Sequence, residues 1–398
     1  MPSTNAPLKI AIVGAGMAGL AAARTLQQNG IPCTVYDLDI SSTSRDQGGS
    51  LDLHVESGQL AMRTNGLWDG IQRHMRYEGQ DTRILDKTSK AWIDKVTEAG
   101  ECACPEVDRG PLRQIYIDSL EEGTIRWGTR ITKVTSVTAQ DGEGEQIKHP
   151  RYTLHFGDGT EETFDFVVGA DGAWSRVRPL LSDAKPTYSG VTFHEMRLPN
   201  ADKDHPNESK LVGRGSIYAL SDNKAIMAQR NGDGCVRSYA VLRVPESGLP
   251  EEVIQDESTA RAYILKHYED WSEGLQNLIR NSQGFIPRPI YALPVEHRWV
   301  SRPGITVIGD AAHLMSPFAG EGANLAMIDG VDLGLTLVKV VKDGKDLAVA
   351  QQNFEQAMIT RSKVAAEASA RNLELFISEN APQSTMVVLQ HIFPKKGN

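Results

Sequence analysis

Lys9-Ile10-Ala11-Ile12-Val13-Gly14-Ala15-Gly16-Met17-Ala18-Gly19 decides how the rest of this sequence is read. The apolar run predicts a buried strand, the three glycines fit G-x-G-x-x-G, and the Ala/Leu-rich stretch that follows predicts a helix closed by Asn29-Gly30. A second strand, Cys33 to Asp37, completes a βαβ unit, which implies a parallel sheet with crossover helices. The motif follows a strand and opens a helix, the context in which it signals a bound dinucleotide. Gly14 permits the tight turn, Gly16 lets a pyrophosphate approach the backbone, and Gly19 allows close helix–strand packing. Ala15, Met17 and Ala18 complete the same turn, whose free N–H groups lie at the positive end of the helix. Asp37 is placed to accept hydrogen bonds from a ribose hydroxyl. The motif alone does not separate FAD from NAD, and a glycine turn made only for packing is the plain alternative.

At 398 residues the chain is more than twice the usual domain length, so two structural units are expected. A composition of 40% hydrophobic and 23% charged residues, with no apolar run long enough to cross a bilayer, points to a globular protein rather than a membrane or disordered one. The net charge of -9 argues against a nucleic-acid partner. Four cysteines, Cys33, Cys102, Cys104 and Cys235, are too few for a disulfide framework, and their spacing gives no metal site. The first residues carry no secretory pattern, so a cytoplasmic protein is expected, as a monomer or weak homodimer acting on a small molecule.

Farther along, Tyr188 to Val244 reads as an antiparallel sheet: Ser216 to Leu220, Ala225 to Arg230 and Val236 to Val244 are strand-like and separated by turns. Val167 to Arg178 (VVGADGAWSRVR) is a strand leaving into a Gly-Ala-Asp-Gly turn with Asp171 and Arg176. Ile305 to Asn324 (ITVIGDAAHLMSPFAGEGAN) is a strand that delivers Asp310, then a Gly-rich approach from Pro317 to Gly322 into another helix. Two long helices follow, about Ala323 to Val341 and Ala350 to Phe376.

These three motifs, in this order, resemble the group A FAD-dependent aromatic hydroxylases. Gly48 to His54 (GGSLDLH), Ser57-Gly58-Gln59, Glu106 to Arg109 and GDAAHLMSPFAGEGAN are similar to the tetracycline-inactivating flavin monooxygenases of the TetX type. The resemblance implies an α/β fold in which a Rossmann-like, PHBH-like FAD-binding domain is interleaved with an antiparallel-sheet substrate domain and followed by a C-terminal helix. The FAD-binding parts are then 1–75, 105–185 and 286–345, the substrate parts 76–104 and 186–285, and the helical segment 346–398. It implies that Asp52, Arg113 and Asp310 contact FAD, that Pro317, Gly320, Glu321, Gly322 and Ala323 surround the flavin ring, and that Arg45 receives NADPH or NADH; Asp171 is expected as a further cofactor contact and Arg176 as a second NAD(P)H contact. The implied activity is NAD(P)H-dependent hydroxylation of a cyclic phenolic or enolic compound, of tetracycline or other polyketide type, with O2 through a C4a-hydroperoxide of the flavin. A flavin oxidase or reductase and a ligand-sequestering flavoprotein without turnover are the alternatives. One departure is Asp37-Leu38, where the family has Glu-Arg; another is the sheet, where Phe193, Met227, Arg237 and Tyr239 stand at substrate-facing positions.

Several side chains admit two readings. His313 is a structural hydrogen-bonder or a base. Asp52 and His54 share one face, as an acid–base pair or as a flavin contact beside a packed histidine. Arg237 binds an anionic substrate or is solvated; Met227 and Phe318 line a pocket or fill an interface. The final helix, with Leu375 and Phe376, braces the domains or caps the entrance.

Overall fold

The computed structural model describes residues 8–98, 104–137, 150–246 and 256–388; Cys102 and the first seven residues lie outside these. The βαβ unit forms as its sequence dictates. Strand Ile10–Val13 is fully buried, helix Met17–Gln28 starts at Gly16 and ends at Asn29 with Gly30 at φ +71°, and strand Thr34–Tyr36 returns parallel to the first. The sheet around them has five strands in the order Ile305–Val307, Phe166–Gly169, Ile10–Val13, Thr34–Tyr36, Ile125–Arg126, all parallel. Two antiparallel pieces flank it: a three-stranded sheet of Ile131–Val137, Arg151–Phe156 and Glu161–Phe164, and a ribbon of Ser50–Asp52 with Glu106–Asp108.

The second large sheet has seven strands: Gln283–Ala292, Thr187–Leu198, Val236–Arg243, Lys224–Arg230, Ser216–Ser221, Thr82–Leu85 and Ala91–Lys95. It is antiparallel except where Ser216–Ser221 runs parallel to Thr82–Leu85, a strand from an earlier passage of the chain rather than a hairpin partner. The domain boundary expected at 285 falls inside its first strand, Gln283–Ala292. The strand accommodates Pro287 and Pro289 because it lies at the sheet edge, where a missing N–H costs no ladder bond. One face of the sheet packs Ile217, Ala219, Ile226, Ala228, Ala240 and Leu242 onto helices Glu257–Lys266 and Glu273–Arg280. The other face meets the Ser50–Asp52 ribbon, Asp46 and Phe318.

Two helices join the layers. Gly322–Asp343 crosses Met17–Gln28 closely because Gly330 and Gly334, one turn apart, have no side chains; a Cβ on Gly330 would stand 2.3 Å from the Ala18 carbonyl oxygen. Leu347–Phe376 then runs back over both layers. Among the described residues, no helix is long and apolar enough to cross a membrane.

Candidate active site

Strand Ile10–Val13 has Thr34–Tyr36 on one side and Phe166–Gly169 on the other, so the chain departs from it in opposite directions. A crevice opens at such a point beyond the carboxyl ends of the strands, and ligands of open α/β sheets bind there. Gly14 and Gly19 are locked into protein: a Cβ on Gly14, at φ +107°, would stand 2.2 Å from the Ala170 carbonyl oxygen, and one on Gly19 2.0 Å from that of Gly14. Gly16 differs, since a Cβ there would meet nothing within 4 Å. No side chain caps the helix that begins after it, so the first-turn N–H groups remain for an anion.

Around this turn the structure gathers predicted residues. Asp37 accepts the Ala15 N–H at 2.6 Å through Oδ2 and the Asp39 N–H at 2.8 Å through Oδ1, which leaves further lone pairs for a ribose. Arg113 is buried; its Nε donates to the Ala15 carbonyl at 2.9 Å and one Nη to that of Ser42 at 3.1 Å. It therefore fixes the glycine turn to the loop that carries Arg45. Arg45 itself is exposed and paired with Asp39 at 2.9 Å. No contact joins it to Arg176, whose side chain is exposed on the other strand's loop.

In that loop Asp171 accepts the Arg176 N–H at 2.6 Å, while its other oxygen is buried without a partner and burial pushes its carboxyl up. Arg178 donates to the Ala173 and Ala311 carbonyls at 2.6 and 3.0 Å, tying this turn to that of Asp310. Asp310 presents an exposed carboxylate yet sits deep among protein atoms, the signature of a cleft floor, and desolvation raises its pKa. Arg109 faces it, and its guanidinium makes no hydrogen bond to a described residue. In sequence, Arg109 stands only as the end of the Glu106-to-Arg109 stretch, with no local signal of this place beside Asp310.

His313 leaves this cleft. It is buried, with Nε2 2.5 Å from Asp329, which also accepts from Arg361 of the last helix at 2.9 Å. Through Asp329 it ties the Asp310 turn to the last helix.

The Pro317 turn ends at Gly320 in the left-handed conformation, φ +71°, and the helix from Gly322 is again without a side-chain cap. A Cβ on Gly322 would meet nothing within 4 Å, so the N–H groups of Gly322 and Ala323 can be approached as closely as those beside Gly16. Asn324 clamps the neighbouring ribbon, donating to the Asp52 carbonyl at 2.8 Å and accepting the His54 N–H at 3.0 Å. His54 bridges two carboxylates, Asp52 at 2.8 Å and Glu321 at 3.2 Å, and these hydrogen bonds hold it well above the usual imidazole range. It is thus a charged bridge between Asp52 and Glu321, pairing with Asp52 as one of the two sequence readings expects.

Opposite the turn, one face of the seven-stranded sheet carries Tyr218, Met227 and Tyr239 side by side on three strands, with Gln229 and Arg237 in the next row. Phe193 packs edge-on to Phe318 at 5.8 Å, and Phe318 in turn to Phe376 at 5.9 Å. Phe193 and Met227 are each only 7% exposed, so they form the base of this wall, while Tyr218, Tyr239 and Phe318 are half-buried and present ring surface. Arg237 is neither solvated nor free: 5% exposed, it is paired with Glu195 and, at 2.9 Å, with Asp46. The last helix braces the turn, since Asn372 donates to the Phe318 carbonyl at 3.0 Å and Ser369 bonds Ser316 at 2.7 Å.

These residues fit FAD. An open glycine and an uncapped helix end suit a diphosphate, Asp310 and Arg109 suit the polyol chain, and the second uncapped end suits charge on a reduced ring. Comparison with known proteins agrees. Residues 7–365 match a family model described as FAD binding domain. Monooxygenase asqM of Emericella nidulans is 33% identical, over 94% of this chain and 96% of its own. The structure of Klebsiella pneumoniae HpxO complexed with FAD and uric acid superposes with a TM-score of 0.77 at 21% identity, covering 96% of this chain and 92% of that one. Tetracycline destructase Tet(51) gives 0.70 at 18%, covering 98% and 96%. A family match of that extent, with a relative a third identical along nearly its whole length, makes this chain a member of the FAD-binding-domain family and an FAD-dependent monooxygenase.

Proposed function

We propose that the chain hydroxylates a cyclic phenolic or enolic small molecule, with NAD(P)H as reductant and O2 as co-substrate. The observation that carries this is the wall facing the Gly320 turn, where half-buried Tyr218, Tyr239 and Phe318 offer ring surface beside polar Gln229 and Asp52. A flat ring with one or two polar substituents suits such a surface. Bound FAD, once reduced, supplies the activated oxygen.

The chain's own residues orient and enclose. The aromatic wall sets the plane of the substrate and excludes water, and the N–H groups of Gly322 and Ala323 stabilise negative charge at the ring site. Arg45 and Arg176 are the exposed cations we assign to a transient nicotinamide dinucleotide. The Klebsiella structure contains uric acid, a cyclic enolisable compound, and the Tet(51) match keeps tetracycline-type and other polyketide rings among the candidates.

The test is a screen of phenolic, uric-acid-like and tetracycline compounds against FAD-loaded protein. The expected result is NADPH consumption coupled to a product heavier by one oxygen atom. NADPH consumption without an oxygenated product would mark an oxidase or reductase, and ligand binding without consumption a sequestering protein.

A further inference from the structure

In the ribbon beside the Gly320 turn, Asp52 stands directly opposite Glu106. Like charges facing each other across a ribbon repel, so the pair favours holding a proton. Glu106 is the deeper of the two, and burial pushes its carboxyl up to about 7. Its oxygens are used unequally: Oε2 accepts from the Ser50 hydroxyl at 2.6 Å and from the Gln229 amide at 3.1 Å, while Oε1 accepts from no described residue. The Tyr239 hydroxyl likewise has no partner among the described residues and lies beside Gln229 at Gly49. The other titratable groups facing Glu106 are Asp108, Arg76 and the neutral phenol of Tyr218. Arg76 is engaged by Asp108 and Ser50 at 2.9 and 2.8 Å. A carboxyl oxygen is therefore held rigidly, without a protein partner, next to the aromatic wall.

We infer that Glu106 is the group that receives the proton of the substrate, through Oε1, from an acidic ring O–H or N–H. The inference rests on the proposed hydroxylation and deepens it: the O–H bond breaks, its electron pair stays on the ring, and the proton passes to the carboxylate. The ring so charged is more electron-rich at carbon, which is what oxygen insertion requires. Asp52, His54 and Glu321 are positioning residues. They fix the ribbon against the Gly322 helix, and the Asp52 carboxylate keeps Glu106 basic enough to hold the proton.

The test uses FAD-loaded protein and 4-nitrocatechol, whose ionised form absorbs in the visible. Wild type is expected to bind the probe as its anion below the pH at which the free probe ionises. Glu106→Gln should bind it un-ionised and about tenfold more weakly, the scale of one charge-assisted hydrogen bond. Glu106→Asp, which keeps the charge but withdraws it by one methylene, should retain the anion band with reduced affinity, and it decides the matter if Glu106→Gln does not fold. An unchanged band and affinity in the variants, or no binding to FAD-loaded wild type, overturns the inference. Flavin content of each variant is read from its own spectrum, so loss of FAD, which would count against the flavin reading, is distinguishable from loss of this proton acceptor.

Discussion

Three glycines within one turn have three different reasons to be glycine, and they predict different phenotypes. Gly19→Ala drives a Cβ into a backbone oxygen that cannot move away, so unfolding should show a loss of about 1–3 kcal/mol. Gly16→Ala meets no protein atom, so thermal stability without cofactor should be unchanged while FAD retention falls, as measured by flavin content after gel filtration. If both variants lost stability alike, Gly16 would be a packing residue. His54 gives a third expectation. Its charge bridges Asp52 and Glu321, and all three are partly open to solvent, so His54→Ala should cost no more than about 1 kcal/mol in denaturant unfolding.

The Asp310 strand-turn and the last helix are coupled through Asp329, which takes bonds from His313, Arg361 and, at 3.1 Å, the Gly309 N–H. Against the burial that alone would raise it, Asp329 is held below its ordinary 3.8 by His313 and Arg361, so its stabilisation is full above that pH and lost as acid reaches the lower folded value. His313, although burial opposes it, is held above its ordinary 6.5 by Asp329, so its share is full below 6.5 and lost as pH rises through the folded value. The network should contribute most between these two values. Asp329→Asn should flatten that pH dependence and cost about 3–5 kcal/mol, read from urea unfolding across pH. The elements themselves were legible in the sequence, because periodicity and glycine turns are local; the predicted and observed bounds of Ala323–Val341 and Gly322–Asp343 differ by a turn or less. The couplings were not. Asp329 lies mid-helix in an apolar run, and nothing within a few residues of it announces Arg361. The same holds for Glu106, joined to Ser50 and Gln229 across 56 and 123 residues, and for Asn324, joined to His54 across 270.

Loops after four parallel strands build one side of the candidate site, and one face of the seven-stranded sheet, which meets them through Ser50–Gln229, Asp46–Arg237 and Phe318–Phe193, builds the other. Of the residues expected at that sheet face, Phe193 and Met227 proved largely buried and Arg237 engaged with Glu195 and Asp46, because a wall must itself be packed and paired before it can hold a ligand. Tyr218, Gln229 and Glu106 are the partly exposed side chains there. The family pattern pointed to the cofactor's side of the cleft, where residue types repeat for a physical reason; the substrate's side depends on which strands neighbour each other, a property of the folded sheet. FAD lying between these two sides, with oxygen inserted there, is the central claim. Turnover of FAD-loaded protein with NADPH under isotopically labelled O2, with the product analysed by mass, tests this most directly. One labelled oxygen atom is expected in the ring product; a product whose added oxygen comes from water, or label found only in released peroxide, would rule out flavin-dependent insertion at this site.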